Sequence, residues 1–86
     1  MNPNDHGKKP VTIIVNTRSV EWAEKEITYE QAYDLAYPGQ LLGDGDTATV
    51  EYSRGAGGHG GGSLTAGHGV HVKEGMVFDV YRTTRS

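Results

Sequence analysis

The residues of this 86-residue sequence whose types and spacing could do chemistry gather in its second half. Gly55-Ala56-Gly57-Gly58-His59-Gly60 fits the spacing G-x-G-x-x-G after a strand-like run. A dinucleotide cradle needs a helix N-terminus next, so that backbone amides and the helix dipole meet the pyrophosphate. More glycine follows instead, and no lysine-serine or lysine-threonine pair follows either, which removes nucleotide binding of both the dinucleotide and the P-loop kind. His59-Gly60-Gly61-Gly62 resembles an oxyanion loop, but there is no G-x-S-x-G elbow to supply a nucleophile. His59, His68 and His71 are the residues best suited to zinc, nickel or copper. A working site wants further ligands on rigid elements; His59 falls mid-loop and His71 on the opposite side of its strand from Val70 and Val72, so surface histidines are the preferred account. Asp44-Gly45-Asp46 lacks the remaining positions of a calcium loop and reads as a turn. Ser53, Ser63 and Ser86 have no base partner in view. Cysteine is absent, which removes thiolate chemistry and disulfides. No catalytic residue, metal or cofactor is therefore expected. Lys8, Lys9, Lys25 and Lys73 are the amines available for joining a second copy, with Lys8 and Lys9 the most accessible; their plainer role is solubility.

Whatever the chain does, one small body must do it. A mass of 9.3 kDa holds one core, and with 35% hydrophobic residues that core is thin. Eight basic against eleven acidic side chains leave a net charge of -3, which argues against nucleic acid or an anionic membrane as a partner. The longest apolar run is Ile13-Ile14-Val15, so no membrane span or signal peptide is read, and a cytoplasmic location is expected.

Residues 1–9 carry no apolar periodicity and read as a disordered arm. Val11 to Thr17 is β-branched and alternating, with Val11, Ile13 and Val15 facing inward. A tight connection at Arg18-Ser19 then leads to a second strand with Val20 and a half-buried Trp22. Thr28-Tyr29-Glu30-Gln31 is a capping box, and Tyr29, Ala32, Tyr33 and Ala36 lie on one helical face, with Leu35 at its flank. Pro38-Gly39 ends this helix, which is too short to stand alone and must dock on a sheet. A strand follows from Thr47, with Ala48, Val50 and Tyr52 inward. Residues 55–69 hold eight glycines, and a mobile loop is expected over 55–62. Val70 and Val72, then Met76, Phe78 and Val80, alternate about Glu74-Gly75, either as a second hairpin or as a strand and turn leading into the last strand. The strand–strand–helix–strand order is an α+β pattern with one helix across one face of a sheet, for which a two-layer β-grasp is the natural candidate. In that fold the last strand lies between the first and third, parallel to the first.

Four blocks in order, from Tyr29 to Gly39, Thr49 to Gly55, Gly62 to Gly67 and Val70 to Val80, resemble the bacterial multi-ubiquitin domain family. The resemblance spans Val11 to Ser86. It implies a ubiquitin-like β-grasp with a mixed four- to five-stranded sheet over residues 10–82 and an exposed tail at 83–86. It also implies a protein modifier rather than an enzyme, activated at its C-terminal carboxylate by an E1-like enzyme with ATP and passed by an E2-like carrier to target proteins, in the setting of antiphage defence. Arg82, Thr83, Thr84, Arg85 and Ser86 are then the conjugation tail. Modifiers of this type generally end in Gly-Gly, because an end without side chains threads a narrow channel to the adenylate. Here the sequence ends Thr84-Arg85-Ser86, so the cognate enzymes accept a bulkier end, a processing peptidase trims it, or the protein is not conjugated. Four residues beyond Arg82 reach at most about 14 Å. The alternative function is a non-covalent interaction module that docks partners on the sheet face opposite the helix, with Thr12, Ile14, Thr49, Glu51, His71 and Lys73 contributing.

Overall fold

The computed structural model describes residues 9–43, 45–53 and 60–83. The β-branched run makes strand β1 (Val11–Val15), which pairs antiparallel with β2 (Arg18–Trp22). Val15 sits opposite Arg18, so the connection is the two residues Asn16 and Thr17 rather than Arg18-Ser19. Both have positive φ, 49° and 73°. That is the sign a two-residue hairpin needs if its twist is to match the strands. The expected position was displaced because neither residue is glycine. Asn16 tolerates the left-handed region and is also held by its side chain, whose Oδ1 accepts from Val80 N at 2.7 Å while its Nδ2 donates to Val80 O at 3.0 Å.

Trp22 is half-buried, and its Nε1 donates to Glu26 O at 3.0 Å. The three-residue strand β3 (Glu26–Thr28), which the sequence reading passed over, follows and runs directly into helix α1 (Tyr29–Ala36). The capping box is formed: Gln31 N donates to Thr28 Oγ1 at 3.1 Å, and Thr28 N donates to Gln31 Oε1 at 2.9 Å. At the other end Tyr37 leaves the helical region, Gly39 has φ of 75°, and Leu35 O accepts from Arg18 Nη2 at 2.9 Å. That bond satisfies one of the carbonyls a helix end leaves open.

Strand β4 (Thr47–Ser53) pairs antiparallel with β5 (Gly61–Leu64). Gly61 and Gly62 were expected in a mobile loop and stand instead in a strand, while residues 54–59 lie outside the described residues. Close approach explains the glycine. A Cβ on Gly61 would lie 2.5 Å from Tyr52 O, and one on Gly62 would lie 3.0 Å from the Tyr52 hydroxyl. Strand β6 (Gly69–His71) makes no hairpin with the last strand, β7 (Val77–Thr83). It pairs antiparallel with β3 in a separate two-stranded sheet, and a turn at Glu74-Gly75 leads into β7, which was the second of the two readings.

The main sheet has the order β2-β1-β7-β4-β5, with β7 parallel to β1 and antiparallel to β4. β7 is therefore central, as expected. Ile13, Val15, Val50, Phe78 and Val80 point from this sheet into a core completed by Ala32 and Tyr33 of α1, Ile27 of β3, Val72 and Met76. One helix over one face of a mixed five-stranded sheet is the ubiquitin-like β-grasp.

Candidate functional site

A strand's side chains alternate between faces, and that rule builds the site from β7 outward. Phe78 and Val80 point into the core; Val77, Asp79 and Tyr81 point to the face that the helix leaves uncovered. Arg82 shares the helix side with Val80. Its Nη1 donates to Gln40 Oε1 at 3.1 Å and its Nη2 lies 3.3 Å from Asp46 Oδ2 and 3.5 Å from Leu41 O. Asp46 is held in turn by a bond from Gly43 N at 2.9 Å. Side-chain exposures of 26% for Arg82 and 15% for Asp46 put this ion pair below the surface layer. Arg82 was expected in the conjugation tail and is instead a clip fastening the end of β7 to the loop before β4. Thr83 is likewise in the sheet, opposite Thr47. Thr84, Arg85 and Ser86 lie outside the described residues.

The uncovered face gathers part of the expected docking set. Ile14 sits beside Val77 in the parallel register, Thr49 opposite Tyr81 and Glu51 opposite Asp79, so β7 brings Ile14, Thr49 and Glu51 together, with Thr12 further along β1. His71 and Lys73 do not join them. His71 belongs to the two-stranded sheet, where its Nδ1 is 4.0 Å from Glu26 Oε2, and Lys73 lies in the connection that follows. Alternation carries a face assignment along one strand, not from one sheet to another. Val77, Asp79 and Tyr81 belong to this face as well, a placement that the inward pattern Met76, Phe78, Val80 carries in the sequence. Tyr81 is 53% exposed.

The histidine hypothesis finds less support. His68 Nδ1 is 3.3 Å from Thr65 Oγ1, His71 stands beside Glu26, and His59 lies outside the described residues. Among the described residues no group of three or more His, Asp or Glu side chains is placed to hold a metal ion. No helix among them is long and apolar enough to cross a membrane.

The geometry thus offers two features: a central strand whose carboxyl end is clipped in place, and an uncovered sheet face with an apolar and acidic surface. No curated protein and no solved structure was found to match the chain. The family model for multiubiquitin matches residues 11–84, which takes in every strand and the helix among the described residues, and the chain belongs to that family.

Proposed function

We propose that this ubiquitin-like domain is a protein modifier, joined to other proteins through a carboxylate at the end of β7. The observation that carries the reading is the position of β7. The strand is central, held on both sides, and fastened by Arg82 to Asp46 and Gln40, so whatever follows Thr83 leaves from a rigid point. An enzyme that grips the body then knows where the carboxylate will be, which is the positional advantage that such chemistry needs. In the proposed sequence a carboxylate oxygen attacks the α-phosphorus of ATP on an E1-like enzyme, and pyrophosphate leaves. A nucleophile of the enzyme displaces AMP, and an E2-like carrier passes the acyl group to a target. The protein is the substrate of these steps and no residue of its own is catalytic. The carboxylate is that of Ser86 or of a residue exposed by a peptidase. Antiphage defence is the setting that the family resemblance suggests.

Incubation with a cognate E1-like enzyme and ATP should release pyrophosphate and give a covalent adduct; absence of both rejects the reading. Appending a histidine tag after Ser86 should abolish the adduct. The competing reading, a non-covalent module, is favoured by the exposed Tyr81 and the neighbouring pair Ile14 and Val77 on the same uncovered face, and it predicts that the tag leaves partner binding unchanged.

A further inference from the structure

The two sides of the main sheet differ in charge as well as in cover. Both described arginines turn toward the helix side, Arg18 to Leu35 O and Arg82 to Asp46. Strand positions on the uncovered face carry Glu21, Glu51 and Asp79, and among the described residues none of those positions holds a lysine, arginine or histidine. Glu51 and Asp79 stand directly opposite one another across β4 and β7. Like charges so placed destabilise a sheet, and neither carboxylate has a hydrogen-bond or ion-pair partner among the described residues. Along β7 Asp79 is flanked by exposed Tyr81 on one side and, on the other, by half-buried Val77, which neighbours Ile14 of β1.

We infer that this face docks a partner protein presenting an arginine side chain next to an apolar one. The inference rests on the reading that the uncovered face is where partners meet the domain. A guanidinium between Glu51 and Asp79 relieves their repulsion, and its fork matches two carboxylates better than an ammonium does. Its stem and π-face lie along the Tyr81 ring, while the neighbouring apolar side chain covers Val77 and Ile14. Other occupants fit less well. A divalent cation asks for six or more oxygen ligands on a cradle, which two carboxylates on a pleated surface do not supply. Nucleic acid and anionic lipid are repelled by the same charge.

The test uses the full chain, ¹⁵N-labelled, titrated with a peptide of alternating leucine and arginine and with its citrulline counterpart, which keeps the shape and drops the charge. The arginine peptide should shift the amides of Glu51, Asp79 and Tyr81. Its Kd should rise about tenfold or more with citrulline, and similarly in the double variant Glu51→Gln, Asp79→Asn, and should weaken with salt. The free double variant should unfold about 1–6 °C higher than the parent, since the opposed charges are gone. Equal binding of both peptides, shifts centred instead on Glu30 and Asp34 of the helix, no binding by either, or the same shifts from calcium chloride alone would overturn the inference. A chain that gives the ATP-dependent adduct without telling the peptides apart defeats this inference alone. One that tells them apart but never forms the adduct defeats the modifier reading alone.

Discussion

Replacing Asn16 with alanine removes three things at once, and their sizes follow from the structure. Two bonds to Val80 are lost, 2.7 Å and 3.0 Å long and partly buried. A net value of about 1 kcal/mol each puts this loss near 2 kcal/mol. The residue at φ of 49° then lacks the short polar side chain that makes the left-handed region tolerable, at roughly 1 kcal/mol more. The position matters beyond the turn, because β1 and β7 pair only at Ile14–Val77 and Val15–Phe78, and the Asn16 amide continues that ladder toward the end of β7. Alanine should therefore cost about 2–4 kcal/mol, against a total of roughly 4–13 kcal/mol for a chain of this length. The thermal midpoint falls by about 10–25 °C at the usual conversion. Glycine restores the backbone freedom but not the bonds, so it should recover less than half of the loss. Aspartate keeps the acceptor for Val80 N but turns a carboxylate toward Val80 O, and should fall between the parent and alanine. Urea unfolding followed by circular dichroism reads all three, provided the slope stays constant. An alanine variant within about 0.5 kcal/mol of the parent refutes the reasoning, since that is the range of ordinary surface changes. A glycine variant equal to the parent would assign the whole effect to φ and none to the clamp.

Two further outcomes follow from contacts at the ends of the sheet. Arg82→Ala should cost about 1–2 kcal/mol, and a double-mutant cycle with Asp46→Asn should return a coupling of about 0.5–1.5 kcal/mol, above that of an exposed pair because both side chains are largely covered. Amide exchange at Thr83 should quicken in the same variant; unchanged exchange would mean that Arg82 does not fasten the strand end. Gly61→Ala forces a methyl to within 2.5 Å of Tyr52 O and should destabilise by about 1–3 kcal/mol in thermal unfolding, while Gly62→Ala, which meets the mobile end of a tyrosine ring, should cost less. Equal costs at the two positions would count against close approach as the reason for the glycines.

Some features were legible because one short stretch of chain holds all of their causes. The capping box at Thr28 and Gln31 needs only a hydroxyl and an amide three residues apart, and the inward set of β7 needs only alternation. The central, parallel placement of β7 was legible too, through its apolar strength and the β-grasp pattern. The pairing of β3 with β6 was not, because three residues make less than two full alternations and the partner lies more than forty positions away. That pairing carries His71 and Lys73 away from Ile14, Thr49 and Glu51, which is why the docking set divided. Arg82 was misread for a similar reason: seen along the chain it begins a polar tail, and only the approach of Gln40 and Asp46 makes it part of the body.

From the order of residues alone come the helix, the strands β1, β2, β4 and β7 with their inward faces, the acidic balance and the absence of any thiol, since each depends on residue type and near neighbours. Folding in three dimensions settles which carboxylates oppose each other and which arginine is spent on internal contacts. Those depend on register between distant segments, where moving one residue turns a side chain to the other face.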